Sequence, residues 1–88
     1  YICEHIEYAP WRFTAGVKRW KSGEEIAGHS KLVMVDDAAF YLGSQNMYPA
    51  GLQEFGLIVT DADMSAQLTE QYWDKLWKES SPEMIPCR

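Results

Sequence analysis

The hydrophobic pattern changes twice along this 88-residue chain, and each change predicts a different kind of element. Tyr1–Tyr8 alternates loosely and predicts a strand. Ala9 to Gly28 holds no period and is punctuated by Pro10, Gly16, Ser22, Gly23 and Gly28, which predicts a long loop or an irregular hairpin. Trp11, Phe13 and Trp20 lie inside it beside Arg12, Lys18 and Arg19, so this loop is either packed down or touching something. His29–Asp36 is apolar at both parities between Leu32 and Val35, a run that suits a central strand covered on both faces. Asp36-Asp37 is a turn signal and Ala39–Gly43 a second strand, so the two strands should form a hairpin. Met47–Leu52, with Pro49 and Gly51, reads as a loop, and Phe55–Thr60 as a third strand. From Asp63 to about Lys78 the period becomes helical. Met64, Leu68, Tyr72 and Leu76 recur every four residues, and Trp73 and Trp77 widen the stripe. Thr60, Asp61 and Asp63 are candidate N-caps, and Ser80-Ser81-Pro82 ends the helix. The order predicts an α/β fold: a mixed sheet with one amphipathic helix packed on it.

Composition adds a demand for a neighbour. A single domain of 88 residues is near the lower end of what one core stabilises, yet 47% of the chain is hydrophobic and 14% aromatic. Some of that surface should face another piece of protein. A chain that starts at Tyr1 and not Met fits a processed product or one half of a split chain. The net charge is −5, which argues against nucleic acid as partner, because such binders draw affinity from Lys and Arg on phosphates. One local basic site would still serve an anionic ligand. Cations gather early, at Arg12, Lys18, Arg19, Lys21 and Lys31, and acids dominate from Glu54 onward.

Cys3 and Cys87 stand at the two ends. Bonded to each other, they would close a loop worth roughly 4–5 kcal/mol in the chain-entropy model and imply an oxidising compartment; two free or separately paired thiols are the alternative. No Cys-x-x-Cys pair is present, and His5 beside Cys3 is too little for a metal site. No metal or other cofactor is expected. No run of about 20 apolar residues is long enough to span a membrane.

The chemistry concentrates between His29 and Asn46. His29 and Lys31 are two apart on a strand, so their side chains leave one face. Imidazole can attack, donate or accept a proton near neutrality, and an ammonium can hold an oxygen on which charge builds. Ser44 and Asn46 are again two apart and offer neutral hydrogen bonds, and Gly43 lets the backbone pass close to a ligand. Asp36 lies five residues from Lys31, so it points to the other face and reads as structural, closing the turn or pairing with a cation.

The stretch fits H-x-K-x4-D-x6-G-S-x-N at His29, Lys31, Asp36, Gly43, Ser44 and Asn46, residues 29–46. This resembles the signature of the phospholipase D superfamily. The segment from Asp36 through Ser44, then Asn46-Met47-Tyr48-Pro49-Ala50 and Leu52-Gln53-Glu54-Phe55-Gly56, resembles the second motif of secreted bacterial enzymes of the actinobacterial type. The resemblance covers roughly residues 26–60. It implies that residues 1–88 are the C-terminal catalytic half of a pseudo-two-fold fold, secreted, with a separate N-terminal half carrying the first motif. It also implies cleavage of the head-group phosphodiester of glycerophospholipids at a membrane or micelle surface, through a phosphohistidine, ending in hydrolysis or transfer to another alcohol. On that expectation His29, Lys31, Asn46 and Glu54 are catalytic, and Asp36, the signature acid, is counted with them although its parity reads as structural. Ser44 and Gly43 contact the phosphate, and Glu54 orients an active-site histidine. The alternatives are a nuclease of the same superfamily acting as a single-motif dimer, a phosphatidyltransferase, and a non-catalytic half.

Overall fold

The structure, a computed structural model, describes residues 2–46 and 48–86. Its elements run α1 (Ile2–His5), β1 (Lys31–Val35), β2 (Ala39–Gly43), β3 (Gly56–Val59), α2 (Ala62–Leu68), a π-helical turn (Thr69–Trp73), α3 (Asp74–Ser80) and a 3-10 turn (Ser81–Glu83). The chain divides into two compact units, His29–Gln71 and the pair of segments Tyr1–Gly28 and Tyr72–Arg88. The class is therefore α/β, as the pattern predicts, with the sheet wholly in the first of these units.

That sheet has the order β1-β2-β3 and is antiparallel at both pairings instead of mixed. Register sets Met34 opposite Phe40 and Phe40 opposite Val59, and these three side chains are half-buried together. The other face carries Val33, Tyr41 and Ile58 in register. Val33 is 58% exposed there and Ile58 77%. The expected two-sided cover of Leu32–Val35 is thus corrected. β1 is an edge strand of this sheet, and alternate residues Val33 and Val35 remain exposed.

The hairpin turns at Asp36 and Asp37, both left-handed at φ 53° and 51°. Two successive positive φ values match the right-handed twist of the flanking strands, and Asp tolerates them better than most residues. The Ala38 N–H closes the turn on the Val35 carbonyl at 3.0 Å. Asp37 then accepts a hydrogen bond from the Thr69 hydroxyl at 2.6 Å, pinning the turn to the end of α2. Asp61 is the N-cap among the three candidates, with extended φ −138° and its carboxylate accepting from the Met64 N–H at 2.8 Å. α2 packs on β2 and buries Ser65.

The helical stripe predicted over Asp63–Lys78 is present, interrupted by the π-helical turn. A strict four-residue repeat drifts by roughly 40° per turn on a 3.6-residue helix. The wider turn lies between Leu68 and Leu76 and takes up part of that drift.

In the other unit, the strand expected over Tyr1–Tyr8 is absent among the described residues: Ile2–His5 is a single helical turn, and the Ile6 N–H closes it on the Ile2 carbonyl at 2.9 Å. The loop from Ala9 is packed down, as one of its two readings had it. Arg12 grips Glu83 through two of its nitrogens, at 2.7 and 3.2 Å. The Gly16 N–H donates to the same Glu83 carboxylate, the Ala15 N–H to Glu79, and the Arg12 N–H to the buried Ser80 hydroxyl. These bonds latch the loop to the end of α3. Trp11 meets Phe13 edge-on at 5.9 Å and Tyr72 at 6.3 Å, and its ring lies where a side chain on Gly28 would have to be. Trp73 and Trp77 stack at 5.6 Å. Cys87 lies outside the described residues, and so does the expected Cys3–Cys87 bridge. Among the described residues no helix is long and apolar enough to cross a membrane.

Candidate active site

Antiparallel pairing brings the beginning of β1, the end of β2 and the beginning of β3 to one end of the sheet. Lys31 pairs with Gly43, and Gly43 with Gly56. His29 immediately precedes this end, Ser44 and Asn46 immediately follow it, and Glu54 enters it just ahead of β3. Strand spacing sets the width across the three strands at about 10 Å. Six of the expected site residues (His29, Lys31, Gly43, Ser44, Asn46 and Glu54) therefore share one sheet end although 25 positions separate His29 from Glu54.

Lys31 is half-buried, and its ammonium folds back to donate to the His29 carbonyl at 2.6 Å. This ties the two signature residues through the backbone and leaves further ammonium N–H groups for a ligand oxygen. The His29 side chain is exposed.

Ser44 is engaged in the fold. Its hydroxyl accepts from the Phe55 N–H at 2.9 Å and donates to the Phe55 carbonyl at 3.2 Å, and its own N–H donates to that carbonyl at 2.9 Å. Together these bonds form a clasp that sets the residue after Glu54. Glu54 itself is half-buried, and among the described residues no hydrogen bond joins its carboxylate to His29. The Asn46 amide donates to the Tyr48 hydroxyl at 3.2 Å.

Gly43 and Gly56 make room for a neighbouring ring. A side chain on either would strike the ring of Tyr41, which lies across both glycines on the face that carries Lys31. At Gly43 it would also meet the Phe55 carbonyl at 2.7 Å. The Tyr41 hydroxyl, reaching past them, donates to the Gln45 side-chain oxygen at 2.9 Å. An aromatic residue laid over paired glycines stiffens a sheet end that lacks side chains of its own.

Asp36 is the signature residue that does not join the others. It occupies the hairpin turn at the opposite end of β1, roughly 16 Å along the strand from Lys31. Strand parity gives it the other face from Lys31, and with its left-handed backbone it forms the turn, the place its structural reading gave it. The sequence reading missed the cover that Tyr41 lays over Gly43 and Gly56. Tyr41 two residues before Gly43, on the same strand parity, was the available signal; its meeting with Gly56 needed the register of β3.

No protein-family model matches the chain. It is 44% identical over 92 aligned residues, 99% of its own length, to the phospholipase D of Streptomyces antibioticus. It spans 16% of the length of that relative. The aligned stretch takes in nearly the whole chain, both units included, and on it the chain belongs to the phospholipase D family.

Proposed function

We propose that this chain supplies one half of a phosphodiesterase site that cleaves the head-group bond of glycerophospholipids. The observation that carries the reading is the gathering of His29, Lys31, Asn46 and Glu54 at one sheet end. A second motif-bearing half completes the site, which agrees with the small share of its relative that the chain spans. A histidine of that half attacks phosphorus and forms the P–N bond as the P–O bond to the head-group alcohol breaks. His29, protonated, delivers its proton to the departing alkoxide. Neutral His29 then takes a proton from water or an incoming alcohol, whose oxygen attacks phosphorus and breaks the P–N bond. Phosphatidic acid or a transphosphatidylated lipid leaves, and both histidines return to their starting protonation. Lys31 and Asn46 hold the non-bridging oxygens on which charge accumulates, and Glu54 orients a histidine. The reaction belongs outside the cell, where a Cys3–Cys87 bridge would persist.

The test is release of the head-group alcohol from phosphatidylcholine by the assembled protein, without added metal. The His29→Ala variant is expected to lose at least about 10³-fold in turnover. Unchanged turnover would assign the chain to a non-catalytic half. Plasmid DNA in a parallel reaction separates the nuclease reading: nicked DNA with intact lipid would reverse the substrate assignment.

A further inference from the structure

β2 ends at Gly43, and the chain bends at Ser44 on its way to Asn46. Gln45 and Asn46 therefore lie past the strand pairing that fixes the residues before them. Two side-chain contacts hold the bend instead. The Ser44 hydroxyl is bonded to the Phe55 peptide in both directions. Across the bend, the Tyr41 hydroxyl donates to the Gln45 side-chain oxygen at 2.9 Å. Tyr41 is half-buried and Gln45 exposed. The phenol reaches forward to Gln45 only because its path over Gly43 and Gly56 is clear; a Cβ on either would strike its hydroxyl end.

Stability gives no reason for this reach. Glycine weakens a strand interior, and one exposed hydrogen bond does not offset two such positions. The Tyr41 hydroxyl would also lose little by turning to water. What the bond supplies is position. It ties the first residue past the bend to a ring laid across the sheet, and the next residue is the half-buried Asn46. The proposed reaction puts the Asn46 amide on a phosphoryl oxygen as charge builds there. Such a donor works only when it is held to within about 0.5 Å, and its own supports must then be fixed. We infer that Tyr41, acting through Gln45, is a positioning residue that sets Asn46 against the phosphoryl group. The inference rests on the phosphodiesterase reading above and adds to it two residues that do not touch the substrate.

The test is made on the assembled protein with phosphatidylcholine. Tyr41→Phe keeps the ring over the glycines and removes only the hydroxyl; Gln45→Met keeps the length and removes the acceptor. Each is expected to lower kcat about tenfold, with KM within about twofold of the parent and the melting temperature unchanged. The double variant should be no slower than either single one, since both break the same bond. In an Asn46→Ala background, Tyr41→Phe should cost less than about twofold more. Undiminished kcat in Tyr41→Phe overturns the inference. So does a loss in Tyr41→Phe that Gln45→Met does not share, which would put the phenol on the substrate itself. A full tenfold loss repeated without Asn46 overturns it as well. The same variants are assayed on bis(para-nitrophenyl) phosphate, a phosphodiester without a lipid. The expected pattern on that diester, with a parent that leaves phosphatidylcholine intact, would uphold the positioning and sink the lipid reading alone. A parent inert towards both would overturn the two together.

Discussion

The Ser44 hydroxyl and the Phe55 peptide bond each other in both directions, 2.9 Å from N–H to hydroxyl and 3.2 Å from hydroxyl to carbonyl. One side chain thus stitches the exit of β2 to the entry of β3, where Glu54 stands. Ser44→Ala should lower stability by about 0.5–1.5 kcal/mol, the ordinary worth of exchanged hydrogen bonds at an exposed position. Because Glu54 loses its neighbour's anchor, turnover by the assembled protein should fall about tenfold with little change in KM. Urea melts and steady-state kinetics check the two effects; a change confined to KM would assign Ser44 to direct phosphate contact.

Asp36 offers the opposite case. Its left-handed backbone costs a β-branched residue about 1–2 kcal/mol, and glycine almost nothing. Asp36→Val should therefore lower the urea midpoint, while Asp36→Gly should leave both stability and phospholipid turnover close to the parent. A collapse of turnover in the stable Asp36→Gly protein would show that this carboxylate acts in the chemistry.

Tyr41 and Gly56 should be energetically coupled. A methyl group at Gly56 strikes the Tyr41 ring, so Gly56→Ala should cost about 1–3 kcal/mol, as overpacking does. Replacing the ring as well, in Tyr41→Ala/Gly56→Ala, should recover part of that loss. A double-mutant cycle by chemical denaturation gives the coupling directly, and strict additivity would contradict the contact.

Acid should open the latch between Arg12 and Glu83. The Arg12 guanidinium, and after it the Gly16 N–H, hold the Glu83 carboxyl below its ordinary value of 4.5. A carboxyl depressed in the folded state stabilises above the unfolded pKa and loses that contribution as pH falls through the folded one. The melting-temperature gap between the parent and Glu83→Gln should stay level from pH 7 to about 5 and narrow below 4.5. A gap that persists at pH 2 would assign the latch to packing instead of charge.

Where local rules decide, the sequence was readable. Ala39–Gly43 emerges with the predicted limits, and Asp61 was among three short polar residues placed to cap a helix. The gathering of His29, Lys31, Asn46 and Glu54 follows from a hairpin and one further antiparallel strand, both visible in the pattern. Tyr1–Tyr8 misled because Ile2 and Ile6 sit four apart, a spacing that suits one helical turn as well as loose alternation. The Ser44 clasp and the Tyr41 cover depend on cross-strand register, which no single segment encodes. The π-helical turn hid in plain sight: a repeat of four is longer than an α-helix allows.

The register of β1 against β2 also explains the arithmetic of the signature. From Lys31 the chain runs five residues out along β1, turns through three, and returns five along β2 to Gly43, directly opposite its start. The intervals between Lys31, Asp36 and Gly43 are thus a ruler, laid down by the lengths of two matched arms. A single residue inserted into either arm would turn its side chains to the opposite face and carry Lys31 away from Gly43 and Tyr41. Two insertions, one per arm, would lengthen the hairpin and keep every pairing at the site.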